Sequence, residues 1–259
     1  MYEFIQSENK DSVLWLTFNR PDVYNAFNEG MLMELQDAFK KAAEDDNVRC
    51  VVLTGSGKAF CSGQDLKDFN EKKSTFKEAL DKKYNPLIRQ ITSLPKPVIC
   101  GINGVAAGAG LSIALACDYR IAVENASLIE IFINVGLVPD SGSCYTLPRL
   151  VGYAKAFEMC TTADKVSARD ALRMGIVNKV VSNGAVLNKL LDITSKKYAS
   201  MPTKAIGMIK EMLFKSFNSN LDEILELESK YQDLAGNTED FKEGINAFLE
   251  KRKPKFLGK

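Results

Sequence analysis

Two stretches of the chain follow one plan, and that plan most constrains the fold. In "RCVVLTGSGKAFCSGQDL" (49–66) a continuous apolar run stops at a glycine breaker, and a second small-residue turn follows. In "KPVICGINGVAAGAGLSIALACD" (96–118) the same order recurs before a helix-like segment. A short run that is apolar at every position predicts a strand buried on both faces, the usual state in a parallel sheet flanked by helices. The expectation is therefore an α/β architecture built from a unit used twice.

The remaining segments fit this plan. "YEFIQSE" and "SVLWLTFN" predict a strand pair joined through polar "NKD", and "RPDVYNAF" predicts a loop. Asn28 can cap a helix whose apolar positions Met31, Leu35, Ala38, Phe39 and Ala42 recur at helical spacing. A helix-like stretch covers 74–93, and strands are expected at "DYRIAV" and around 127–131. "YAKAFEMCTTA" and "SARDALRMG" predict helices, the second capped by Ser167 and ended by Gly175. From Ala185 to Lys251 the chain reads as helical, broken at Met201-Pro202 and restarted at Thr238. The reading divides the chain into an α/β core (1–196) and a helical region (197–259). The helical region is too small to bury itself well and is expected to pack on a neighbouring subunit.

Composition narrows the function. With 259 residues the chain fits one sizeable domain, or one domain with a small appendage. The net charge of +1, with acids and bases mixed, argues against a nucleic-acid partner. The basic ending "KRKPKFLGK" reads as a solvated tail. The start "MYEFIQSENK" lacks a secretory pattern, and no apolar run approaches the roughly 20 residues of a membrane span. Six cysteines without a C-x-x-C pair suggest reduced thiols and a cytoplasmic location. The chain contains no histidine, which excludes Ser-His-Asp and Cys-His catalysis. Any acid–base chemistry must rest on carboxylates, Lys, Tyr, Cys or backbone groups.

The glycine turns do not match nucleotide loops. A P-loop needs G-x-x-x-x-G-K-[ST], but Val52 and Ala59 occupy the required Gly and Ser/Thr positions around "GSGK". "GAGLSI" lacks the third glycine of a dinucleotide fingerprint. Small residues after a strand can instead aim backbone N–H groups at a developing oxyanion, or simply allow tight packing. Asp140, in "GLVPDSGS", is by its local sequence a turn former or a helix cap.

Taken together, "NRPDVYNAFN", "GKAFCSGQDL", "KPVICGINGVAAGAGLSIALACD" and "GLVPDSGSCYTLPRLVG" resemble the crotonase (enoyl-CoA hydratase/isomerase) superfamily. The resemblance runs from about residue 3 to the end. "YNPLIR" and the ending "EGINAFLEKRKPKFLGK" bring the chain nearest the isomerase branch of the phenylacetate pathway, although Ser143 stands where that branch often has a second glycine. The resemblance implies a spiral of ββα units with a C-terminal helical trimerisation region, assembled as a trimer or dimer of trimers. It implies an acyl-CoA substrate, with CoA entering as part of the substrate and no metal or redox cofactor. By motif position the oxyanion-binding N–H groups fall on Gln64 and Ala109. CoA would lie near Gln64, Asp65, Leu66, Gly108 and Gly110, with Phe248 and Lys251 contributed by a neighbouring subunit.

The chain departs from the hydratases of the family at both of their glutamates, where it has Ser112 and Phe132. The remaining acid is Asp140, at the position several isomerase branches use. The resemblance makes it the general acid/base, with a pKa raised by burial. Glu130 is the nearest acid to the vacant position but lies two residues from it, which favours a structural role. Arg20 either meets a CoA phosphate or finishes its loop, Cys61 is expected to pack, and Trp15 is expected in the core. The rival readings are a hydratase with unusual acids and a non-catalytic acyl-CoA or RNA-binding protein on the same fold.

Overall fold

The computed structural model describes residues 2–71 and 75–259, with backbone alone for 69–71. Its strands are β1 (Ile5–Lys10), β2 (Val13–Phe18), β3 (Cys50–Gly55), β4 (Ala59–Cys61), β5 (Val98–Ile102), β6 (Val105–Ala107), β7 (Tyr119–Val123), β8 (Ser127–Ile129), β9 (Val166–Ser167) and β10 (Lys179–Val181). Helices α1 (Glu29–Glu44), α2 (Leu66–Glu71), α3 (Phe76–Ala79), α4 (Asn85–Ser93) and α5 (Ala109–Ala116) occupy the first half. The second half holds α6 (Ser143–Val151), α7 (Tyr153–Thr162), α8 (Ala168–Arg173), α9 (Gly184–Ala199), α10 (Thr203–Ser216), α11 (Leu221–Gly236) and α12 (Glu239–Leu249).

From β3 to β8 successive strands alternate between two sheets. One has the order β1-β2-β3-β5-β7-β10 and the other β4-β6-β8-β9. Apart from the antiparallel pairs β1–β2 and β8–β9, all neighbours are parallel. Each turn of the chain therefore places one strand in each sheet and returns through a helix, which is the expected ββα spiral. β5 is buried at every position, as its unbroken apolar sequence predicts. Helix α5 is buried all round, because its sequence carries no polar face.

Local signals operate as the sequence predicts. Asn28 Oδ1 accepts from Met31 N at 2.8 Å to start α1, and Ser167 and Thr238 cap α8 and α12. The stretch after residue 74 is more structured than a plain helix, and residue 74 itself lies outside the described residues. A π-helical segment, Leu80–Tyr84, joins α3 to α4. Pro86 has no N–H to donate to the carbonyl four residues back, at Lys82, and the ladder widens around that gap. Gln36 Nε2 donates to the Lys83 and Lys82 carbonyls at 2.8 and 3.4 Å. The segment around 127–131 is strand only to Ile129, then a 3₁₀ turn over Ile131–Val135 closed by Gly136 at φ +71.

The helical region is tied to the core. Helix α9 runs through the expected boundary at 197 and packs on β3, β5 and β7. Lys210 of α10 pairs with Asp118 at 2.8 Å. The C-terminal tail is not simply solvated: Leu257 N and Gly258 N donate to Asp240, and Arg49 donates to Phe256 O. The Lys253 and Lys255 side chains remain exposed, and it is the backbone that docks. Among the described residues no helix is long and apolar enough to cross a membrane.

Candidate active site

The two glycine turns meet at the C-terminal ends of β4 and β6, neighbours in the second sheet. After β4 the chain turns at Gly63, φ +99, and after β6 it turns at Gly108, φ +51 and ψ −129, into α5. A Cβ on Gly63 would lie 3.0 Å from Ala107 O and 3.7 Å from Ala109 N, so the turns touch backbone to backbone. Phe27 N donates to Gly63 O at 2.7 Å, and Asp65 N donates to Phe27 O at 2.9 Å. By the alternation of a parallel bridge, the Gln64 amide between them points away from Phe27. Ala109 is the first residue of α5, so its N–H belongs to the unsatisfied N-terminal set. Gly108 N and Ser112 N are already engaged with Ile129 O and Gly108 O.

Beside these turns lies a cavity of about 180 Å3 whose wall includes Gln64, Gly108, Ala109, Phe132, Tyr84 and Asp140. Most of the wall is apolar. Tyr84, delivered by the π segment, is buried, stacks edge-on against Phe27 at 6.2 Å and donates its hydroxyl to Gln64 Oε1. Tyr84 opens the "YNPLIR" motif, whose local pattern does not mark it as a wall residue. Only the widened helix turns it inward.

Asp140 opens a tight turn. Ser143 N donates to Asp140 O at 3.0 Å, and the intervening Ser141 and Gly142 have φ +51 and +82, the signature of a type I′ turn. Burial pushes the Asp140 carboxyl above its ordinary value, partly offset by Ser141 Oγ, which donates to Oδ1 at 2.8 Å. The group is a carboxylate of raised basicity facing an apolar cavity, able to take and return a proton.

Ser112 and Phe132, at the two positions where the resemblance would place hydratase glutamates, are engaged otherwise. Ser112 is buried and donates its hydroxyl to Gly108 O at 3.2 Å, within its own helix. Phe132 is buried against the cavity. Glu130 is fully buried and does not line the cavity. Its Oε1 accepts from Ser143 Oγ, and burial and the charge of Asp140 push its pKa up to about 7 against the opposing Ser143 bond.

The other sequence-derived candidates separate. Leu66 lines the cavity and is exposed. Asp65 pairs with Arg20 at 2.9 Å, so Arg20 finishes its loop. Burial pushes Asp65 up, but the Arg20 hydrogen bond and charge, with the Asp68 and Lys67 amides, outweigh it and hold the carboxyl low. Gly110 is buried away from the cavity, where a Cβ would meet Cys61 O at 2.6 Å. Phe248 and Lys251 are exposed at the end of α12 and do not line this chain's cavity. Cys61 is buried with its thiol pKa raised by desolvation, which makes it a packing residue. Trp15 is half-buried against the core.

Comparison with known proteins places the chain as a whole. The family model described as enoyl-CoA hydratase/isomerase matches residues 8–259. A 1,2-epoxyphenylacetyl-CoA isomerase from Escherichia coli (strain K12) is 40% identical over the whole of both chains. A crotonyl-CoA hydratase from Syntrophomonas wolfei is 34% identical, covering 100% of this chain and 99% of its own. The solved enoyl-CoA hydratase from Bacillus anthracis superposes with a TM-score of 0.93 at 32% identity, over 99% of this chain and 100% of its own. Full-length matches in sequence and in fold, on a chain whose glycine turns adjoin a carboxylate-bearing cavity, lead to one assignment: the protein is an enzyme of the enoyl-CoA hydratase/isomerase superfamily.

Proposed function

We propose that the protein is an acyl-CoA isomerase that moves a proton, and with it a double bond, through a thioester enolate. The observation that carries this reading is the convergence of Asp140 with Gln64 and Ala109 on one largely apolar cavity. The thioester oxygen accepts the Gln64 and Ala109 amides. Asp140 removes the proton at C2 of a 3-enoyl-CoA, the electron pair spreads to the thioester oxygen, and the same carboxyl returns the proton at C4. Removing one oxyanion donor from such a site typically costs about 10²–10³ in rate. A single acid suits this shuttle, whereas hydration calls for a second group on the cavity wall to hold water, and Ser112 and Phe132 do not supply one. The name of the 40% identical relative supports an aromatic epoxide thioester, 1,2-epoxyphenylacetyl-CoA, as a further substrate. The relative named crotonyl-CoA hydratase makes water addition the second activity to assay.

The test follows a 3-enoyl-CoA in D₂O with wild type and Asp140→Asn, together with water addition to a 2-enoyl-CoA. Wild type is expected to form the 2-enoyl isomer and incorporate deuterium, and the Asn variant to lose at least about 10² in kcat. Hydration without isomerisation would assign the cavity to the hydratases instead.

A further inference from the structure

Glu130 is a carboxyl that the isomerase reading leaves unused, and its surroundings are unusual. It is fully buried where β8 enters the 3₁₀ turn. Oε1 accepts from Ser143 Oγ, while Oε2 has no hydrogen-bond partner among the described residues. Burying a carboxylate with only one partner is costly, so a neutral, protonated group fits this position better. The titratable groups that face it are Asp140, Cys144 of α6 and Cys160 of α7. None of them supplies a positive charge.

Ser143 links this buried acid to the cavity. Its hydroxyl donates to Glu130, and its N–H donates to the Asp140 carbonyl at 3.0 Å, closing the turn that carries the Asp140 side chain. The turn is strained, because Ser141 holds φ +51 without being glycine. Such a conformation persists only where its neighbours over-determine it.

We propose that Glu130 is a positioning residue for Asp140: its carboxyl fixes Ser143, and Ser143 closes the strained turn from which Asp140 faces the cavity. This inference rests on the reading of Asp140 as the acid–base group. Glu130 acts as the neutral acid, with its proton on Oε2 and Oε1 accepting from Ser143. Once that proton leaves, the Ser143 bond to Glu130 strengthens, but two carboxylates now repel each other across the turn and the buried anion draws in water, and repulsion with hydration outweighs the gain at Ser143. The turn then loosens, and Asp140 loses its aim.

The experiment compares wild type, Glu130→Gln, Glu130→Ala and Asp140→Asn. Side-chain carboxyl carbons are followed by ¹³C NMR from about pH 4 to about pH 9, and kcat and KM for a 3-enoyl-CoA are measured over the same range. One wild-type carboxyl is expected to titrate near 7. That signal should be missing in Glu130→Gln and should move down in Asp140→Asn, where the like charge is gone. Wild-type kcat should fall about fivefold or more as pH rises through this transition, with KM nearly constant. Glu130→Ala should lower kcat about tenfold, and Gln, which keeps a neutral acceptor for Ser143, should recover most of that loss without the pH-dependent fall.

A Glu130→Gln profile that superimposes on wild type would overturn the proposal. So would a Glu130 signal that ignores Asp140→Asn. The NMR arm needs no turnover. Coupling without isomerisation would reject the reaction and leave the Glu130–Asp140 link standing, whereas isomerisation without coupling would reject the positioning role alone.

Discussion

Asp140 and Glu130 show how one functional group, the carboxyl, acquires two characters within 11 residues of chain. Asp140 faces a cavity and keeps one hydroxyl partner, Ser141, while Glu130 is sealed beneath α6 and α7. The Glu130 pKa moves from its ordinary 4.5 to about 7, driven first by burial. A carboxyl whose folded pKa is raised keeps its stabilising effect below its unfolded pKa and loses it as pH climbs through the folded one. Stability from this group is therefore present below about pH 4.5 and lost by about pH 7, a difference on the order of 3 kcal/mol. Glu130→Gln removes the dependence, because Gln does not ionise. The melting temperature of this variant relative to wild type should rise by several degrees between about pH 5 and about pH 8. A constant offset across that interval would show that Glu130 is not the titrating group.

At the scale of elements, backbone contacts between β4 and α5 set the distance between the two turns. Gly110 sits in the first turn of α5, and a Cβ there would fall 2.6 Å from the Cys61 carbonyl oxygen. Neither partner is a flexible side chain end, so helix and strand must separate to admit a methyl group. Gly110→Ala is expected to cost about 1–3 kcal/mol and to displace the Ala109 amide, lowering both the melting temperature and kcat. Gly236→Ala, at the end of α11 with nothing within 4 Å of the added carbon, serves as the matched control. It should be neutral or stabilising by up to about 1 kcal/mol. Equal melting temperatures for the two variants would show that β4 and α5 are not held this tightly. The π segment acts at the same scale: Pro86 widens the helix, and the widening delivers Tyr84 to Gln64.

Across the whole molecule, the C-terminal helices keep apolar side chains in the open. Leu213, Phe217, Leu221, Phe248 and Leu249 are all exposed in the isolated chain, the last two at 81% and 71%. Apolar surface on this scale marks an association face. The expected assembly is a trimer or a dimer of trimers, in which Phe248 and Lys251 of one chain reach toward CoA on its neighbour. Sedimentation equilibrium should give three or six times the 28.6 kDa of the chain. A monomer at micromolar concentration would contradict this, and would leave Phe248 and Lys251 outside any CoA site.

By itself the sequence determined most of the long elements and three of their caps, at Asn28, Ser167 and Thr238. The apolar runs of β3 and β5, stopped by glycine, read as buried strands and the apolar run of α5 as a helix, Asn28 and Ser167 announce their helices, and the glycines after β4 and β6 mark turns that side chains would obstruct. It also singled out Gln64, Ala109 and Asp140 as site candidates through motif position. Tertiary structure decided what lies beyond local pattern. The docking of the tail on Asp240, the use of Arg20 by Asp65 and the inward aim of Tyr84 all join residues far apart in the chain. The separation of Gly110 from the cavity and the burial of Glu130 against Ser143 were decided at the same level. The reason is physical: periodicity and capping are set by neighbours within a few residues, whereas burial, charge coupling and cavity walls depend on which distant segments the spiral brings together.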